Sequence, residues 1–391
     1  MPTTPLPFER ATVVGAGAMG IGIAQVLAQA GLHVCLYDTK EEALKRALGK
    51  LHSTLGRLVE KGRMTQEEVG ALLARIQPIL SLREAADSDI VIEAIYENIE
   101  AKRSVFTSLD DVVADHCVLA TNTSSLSIAS LTSGVKRPDR MIGLHFFNPA
   151  PLMPLVEIVP SLATDPAVVA RCIAAVKAWG KVGVVVKDTP GFIVNRVARP
   201  YYAEAMNMVE EGLADVATID WAMTHIGGFR MGPFALMDLI GHDINYTVTE
   251  TVWKQFYYDP RFRPNLLQKR LVEAGWLGRK TGRGFYDYPS KASSPAPKED
   301  PALGQVILER ILALLVNEAA DAHYKNIASM EDIETAMTTG VNYPQGLVSW
   351  GAAIGFGRLL SILESLQQLT GDPRYRPCPR LREWAQSSPL Q

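Results

Sequence analysis

Between Ala11 and about Asp188, short β-rich runs alternate with stretches of helical periodicity. The runs read ATVV, HVCLYD, DIVIEAI, CVLATN, MIGLHF, LVEIV and VGVVV, and this alternation predicts a mostly parallel sheet covered by helices. Residues 40–75 keep helical periodicity and are rich in Leu, Lys and Glu, longer than a plain crossover requires, so a protruding helical pair is expected there. After Thr189-Pro190-Gly191 the β-rich runs stop and apolar residues recur at helical spacing, which predicts a helical domain ending near Tyr288. PSKASSPAPKEDP then supplies Pro, Ser and charge without apolar anchors, the composition of an extended linker.

The residues beyond that linker resemble the helical domain itself. A shift of 114 lays Glu204-Ala205 on Glu318-Ala319, Ile219 on Ile333, Ala222-Met223-Thr224 on Ala336-Met337-Thr338, Gly232 on Gly346 and Gly241 on Gly355, without a gap. A constant register over that span reads as a diverged internal duplication. The expected architecture is an α/β Rossmann-type domain over 1–188, a first helical domain over 189–288, a linker over 289–301 and a second helical domain over 302–391.

Composition narrows the partners. The chain has 391 residues, 47% of them hydrophobic and 21% charged, with a formal net charge of −3, which fits ordinary globular domains and disfavours nucleic acid. Cys35, Cys117, Cys172 and Cys378 form no CxxC pair, so neither a metal site nor a disulfide framework is expected. The opening MPTTPLPFER lacks a basic start followed by an apolar run, and no segment offers about 18 uninterrupted apolar residues. The expectation is a cytoplasmic protein without a membrane span.

The first β-rich run leads through Gly15, Gly17, Met19 and Gly20 directly into an apolar helix. Glycine permits the tight turn at the first position, close approach to phosphate at the second and helix-on-strand packing at the third, while the helix N-terminus favours a pyrophosphate. Asp38 ends the next run, where a carboxylate accepts ribose hydroxyls and repels a 2′-phosphate, so NAD is expected rather than NADP. A helix N-cap before KEEAL is the plainer role for Asp38.

His145 closes MIGLHF and Glu157 lies within LVEIV. An imidazole and a carboxylate at strand ends suit an oriented general base, although spacing alone equally admits a core histidine and a surface glutamate. Together with the glycine turn, VIEAIYEN (91–98), NTSSL (122–126), GLHFFNP (143–149), KDTPGFIVNR (187–196) and KTGRGFY (280–286) occur in an order that resembles the L-3-hydroxyacyl-CoA dehydrogenase family.

That resemblance implies a function and a set of roles. NAD would take hydride from C3 of an acyl-CoA, His145 would take the hydroxyl proton, and Glu157 would orient His145. Ser124 would hydrogen-bond the reacting oxygen, and Asn195 would hold the acyl group. Glu97, Lys102, Asn122, Asn148 and Lys280 would be NAD neighbours, with Thr54 and Lys61 contacting coenzyme A. Short members of the family dimerise through their helical domains, so the second helical lobe would mimic a dimer contact within one chain, leaving a homo-oligomer open. A dehydrogenase of a free hydroxy acid or sugar acid is the alternative within the same chemistry, and a non-catalytic NAD-binding protein is the more distant one. Acyl-chain length and the terminal group are not legible, because loops and the helical domain supply the pocket walls.

Overall fold

The computed structural model describes residues 7–288 and 296–387. The chain divides into two compact units, Met1–Thr189 and Pro190–Gln391.

The first unit is built on one eight-stranded sheet in the order β3-β2-β1-β4-β5-β6-β7-β8. The strands are β1 (Arg10–Val14), β2 (His33–Tyr37), β3 (Ile76–Ile79), β4 (Ile90–Glu93), β5 (Val118–Thr121), β6 (Met141–Phe146), β7 (Leu155–Pro160) and β8 (Val182–Val185). Every neighbouring pair is parallel except β6–β7. β3 is a strand that the hydrophobic pattern does not announce: it is four residues long and contains Pro78, which an edge position tolerates because no outer neighbour needs its N–H.

Helices α1 (Ala18–Gln29), α2 (Glu41–Glu60), α3 (Gln66–Ala74), α4 (Ile99–Asp110), α5 (Ile128–Leu131) and α6 (Pro166–Ala178) complete this unit. The expected protruding pair is α2 and α3, but it does not simply project. Leu44, Ala47, Leu51 and Leu55 of α2 repeat at three- and four-residue spacing, and with Val69 and Leu72 of α3 they join the core that holds Ile23 and Leu27 of α1. Thr65 and Glu68 start α3 with a reciprocal capping box.

The second unit is helical: α7 (Val194–Val197), α8 (Arg199–Glu210), α9 (Val216–Trp221) continued by a π-helical turn over Ala222–Ile226, α10 (Pro233–Ile240), α11 (His242–Gln255) and α12 (Leu266–Glu273), then α13 (Pro301–Tyr324), α14 (Met330–Gly340), α15 (Leu347–Ile354), α16 (Phe356–Thr370) and α17 (Pro379–Ser387). Of the expected linker, residues 289–295 lie outside the described residues. Residues 296–300 have no regular structure before Asp300 caps α13.

The 114-residue offset recurs in the elements. α9 with its π turn ends at 226 and α14 at 340, while α10 spans 233–240 and α15 spans 347–354. Gly241 and Gly355, at φ 99° and 98°, each open the next helix. Side-chain chemistry follows the same offset. Asp220 accepts from the N–H groups of Phe234 and Ala235, and Glu334 accepts from those of Val348 and Ser349. Ion pairs cross reciprocally: Arg196 donates to Glu318 at 2.7 Å, and its counterpart Arg310 donates to Glu204, the counterpart of Glu318. Contacts of the form i to j′ and i′ to j are those of an isologous, two-fold interface.

Candidate active site

In the first unit, Val14, Glu93, Thr121 and Gly143 are register partners across β1, β4, β5 and β6, so the turns after β1, β4 and β5 emerge along one edge. Strand order reverses between β1 and β4, the position where an open α/β sheet forms its crevice.

The glycine turn has the geometry that its residue types demand. Gly15 sits at φ +108°, and a Cβ there would meet the Ala94 carbonyl oxygen at 2.6 Å. A Cβ on Gly20 would stand 1.7 Å from the Gly15 carbonyl oxygen, whereas one on Gly17 would meet nothing within 4 Å. Two glycines therefore close the turn, and the third keeps space open in front of α1. That helix begins at Gly17 without a side-chain cap or an acidic first turn, which leaves its N-terminal N–H groups to an anion. Beside it opens a cleft of about 750 Å³ lined by Gly15, Gly17, Asp38, Lys40, Arg46 and Tyr96. Its walls fit NAD.

Asp38 accepts from the Ala16 N–H at 2.9 Å and the Lys40 N–H at 3.0 Å. It is not the cap of α2, since the N-cap residue is Lys40. The two bonds fix the carboxylate in the cleft and leave it lone pairs for further donors.

Glu97, beyond β4, receives hydrogen bonds from the hydroxyls of Thr123 and Ser125 and, at 3.2 Å, from the Ser124 N–H. Burial raises its pKa, but the Lys102 ammonium 3.2 Å away and the Thr123 and Ser125 hydroxyls outweigh it, holding the group below its ordinary 4.5. Lys102 is not the solvated lysine that its charge suggests. It is 1% exposed and donates at 2.6 Å to Glu93, itself wholly buried and also bonded to the Thr121 hydroxyl and the Ile95 N–H. Sequence reasoning overlooked Glu93, Thr121 and Thr123. The available signal was a charge closing the apolar run IVIE.

Asn122 accepts from the Phe146 N–H at 2.8 Å, tying the turn after β5 to the end of β6. Ser124 is half-buried in that turn, and Asn148 is exposed, two residues beyond β6. Thr54 and Lys61 are exposed on α2 and at its C-terminal cap, with the Thr54 hydroxyl turned to the Lys50 carbonyl.

His145 and Glu157 are directly opposed in the antiparallel β6–β7 ladder, so their side chains leave the same face of the sheet. Leu144, Phe146, Val156 and Ile158 point to the other face and into the core. The Glu157 carboxylate meets His145 Nδ1 at 2.5 Å with both residues buried. An acceptor-only carboxylate there assigns the proton to Nδ1, which makes Nε2 the basic nitrogen.

In the second unit, Asn195 lies on α7, and Lys280 holds Asp243 at 2.5 and 2.6 Å. Most of KTGRGFY proves to be scaffold. The N–H groups of Phe285 and Tyr286 and the Tyr288 hydroxyl all donate to Asp238, whose carboxylate also pairs with His242 at 2.7 Å.

Family models agree with both units. The NAD binding domain of 3-hydroxyacyl-CoA dehydrogenase matches residues 10–189, and the C-terminal domain of the same family matches residues 191–288 and again 306–391. A 3-hydroxyadipyl-CoA dehydrogenase of Escherichia coli (strain K12) is 38% identical over 96% of this chain and 97% of its own length. A 3-hydroxybutyryl-CoA dehydrogenase of Bradyrhizobium diazoefficiens is 41% identical over 74% of this chain and 98% of its own. The crystal structure of 3-hydroxybutyryl-CoA dehydrogenase from Escherichia coli K12 superposes with a TM-score of 0.92 at 37% identity, covering 97% of this chain and 98% of that one. Likeness that runs through the sheet and both helical copies places the chain in the 3-hydroxyacyl-CoA dehydrogenase family, as an NAD-dependent oxidoreductase.

Proposed function

We propose that His145 is the general base of this dehydrogenase and that Glu157 positions it, in the reversible oxidation of an L-3-hydroxyacyl-CoA to the 3-ketoacyl-CoA. The observation that supports this most directly is the buried 2.5 Å bond between the two residues on opposed strands. With Nδ1–H held by the carboxylate, Nε2 accepts the proton of the 3-hydroxyl as hydride leaves C3, and Glu157 stabilises the resulting imidazolium. In the reverse direction His145 returns that proton to the oxygen. Bound NAD supplies the hydride acceptor.

Other residues serve this transfer. Gly15, Gly17, Met19 and Gly20 form the pyrophosphate turn, and Asp38 takes the ribose hydroxyls. Ser124, its N–H fixed by Glu97, donates its hydroxyl to the developing carbonyl oxygen. Asn195 holds the reacting acyl group. Asn122, Glu97 and Lys102 keep the cofactor-facing turns in place, and Asn148 and Lys280 are assigned as further cofactor contacts. Thr54 and Lys61 contact coenzyme A. The second helical copy occupies the place of a partner subunit's helical domain, a reading supported by the reciprocal arginine–glutamate pairs. The full-length relative is named for hydroxyadipyl-CoA, whose acyl group ends in a carboxylate, and the shorter one for hydroxybutyryl-CoA, which does not. Among the described residues no single helix is long and apolar enough to cross a membrane, and we place the enzyme in the cytoplasm.

His145→Gln tests the assignment. We expect kcat for a 3-hydroxyacyl-CoA to fall by about 10²–10⁴, with NADH affinity measured by fluorescence titration retained. An unaffected kcat removes His145 from the mechanism.

A further inference from the structure

Arg199 opens α8 and is 5% exposed, yet among the described residues no carboxylate pairs with it. Its Nη1 donates to the Thr249 hydroxyl at 3.0 Å, and its guanidinium carbon lies 5.0 Å from the centre of the Tyr202 ring. Its Nε has no hydrogen-bond partner. The Tyr343 hydroxyl, near enough to feel the Arg199 charge, is also buried without a partner. Nearby buried arginines are treated differently: Arg196 has Glu318 and Asp321, and Arg310 has Glu204 and Glu211.

A buried cation without a counter-ion is costly, and the helical fold does not demand this one. The 114-residue offset lays Arg199 on Ala313, a buried position of α13, and Tyr343 on Phe229. One copy thus carries a guanidinium where the other has a methyl group, and a phenol replaces a phenyl ring. Both added polar groups have donors to spare, and the complement of an arginine fork beside an unpartnered phenol is a carboxylate.

Asn195 indicates where that carboxylate comes from. The backbone stays helical through Ala198, at φ −79° and ψ −11°, so Asn195 and Arg199 lie one turn apart on the same face. One turn is about 5.4 Å. In a six-carbon diacid, three carbon–carbon bonds separate C3 from the far carboxyl, a span that brings its oxygens within reach of a guanidinium one turn from the group holding the reacting end.

We propose that Arg199, held in place by Thr249 and joined by Tyr343, recognises a carboxylate at the distal end of the acyl group, so that the preferred substrates are CoA thioesters of 3-hydroxy dicarboxylic acids. This rests on the reading of Asn195 as a substrate contact. Arg199 is a specificity residue and touches no reacting atom.

The test compares kcat/KM for (3S)-3-hydroxyadipyl-CoA and (3S)-3-hydroxyhexanoyl-CoA, which share a carbon count and differ only in the terminal group. The intact enzyme should prefer the diacid by about 100-fold or more, because a site built for a polar group rejects the analogue that lacks it. Arg199→Met should bring the ratio to within about tenfold of unity, and the isosteric Tyr343→Phe should lower it by about tenfold. The wild-type ratio depends on no variant folding: a ratio within about threefold of unity overturns the proposal and leaves the dehydrogenase reading intact. Oxidation of neither thioester overturns that reading as well.

Discussion

Lys102 stands between Glu93 and Glu97 with almost no exposed surface, so its removal leaves the buried Glu93 carboxylate without a cation, beside a Glu97 that is partly open to water. Lys102→Met should cost about 3–5 kcal/mol of stability at pH 7, read from urea unfolding. Glu97→Gln, at a side chain more than a third open to solvent, should cost up to about 1 kcal/mol at that pH. Its effect has a defined pH sense. The folded pKa of Glu97 lies below its unfolded 4.5, so the carboxylate's contribution is complete above 4.5 and fades as pH falls through the depressed folded value. The gap between wild type and Glu97→Gln should therefore narrow in acid, and a gap that widens there would contradict the arrangement. The geometry of the glycine turn was legible in the sequence because it follows from local backbone demands. Glu93 was not: its partner lies nine residues on, across a turn whose course only the fold determines.

Element by element, the sheet was readable as mostly parallel, but its one reversal is where His145 and Glu157 meet. Residues 147–154 are too few for a parallel crossover, so the chain returns antiparallel and the two side chains become direct neighbours. That segment length was the unused sequence signal. β3 stayed hidden because four residues with an internal proline carry little periodicity. The loop around Gly284 shows how a motif with strong sequence character can serve structure. A Cβ at Gly284 would lie 2.1 Å from the Asp238 carboxylate that gathers the Phe285, Tyr286 and Tyr288 donors. Gly284→Ala should destabilise by about 1–3 kcal/mol. Gly49→Ala, in open space on α2, should be neutral or stabilising by up to about 1 kcal/mol. Equal Tm values for the two variants would mean that the clamp is dispensable.

At the scale of the whole molecule, the duplicated half was detectable from register alone, whereas the pairing of its two copies was not, since no local pattern says that Arg196 meets Glu318 and Arg310 meets Glu204. α13 packs along α8, where Tyr201, Ala205 and Met208 are buried. Removing residues 300–391 strips that cover and takes both acidic partners from Arg196. The shortened protein should be insoluble or self-associate in sedimentation velocity, and a monomeric, fully active fragment would show that the second copy has no such part.

A two-fold interface between identical subunits receives every mutation twice, once on each side. Here the two sides lie on one chain and are encoded separately, so a change at position 199 leaves position 313 as it was. That release from symmetry lets one copy of the helical domain keep an unremarkable alanine in its core while the other carries a charge. New substrate chemistry can then be introduced at a position in either copy while its counterpart stays as it was.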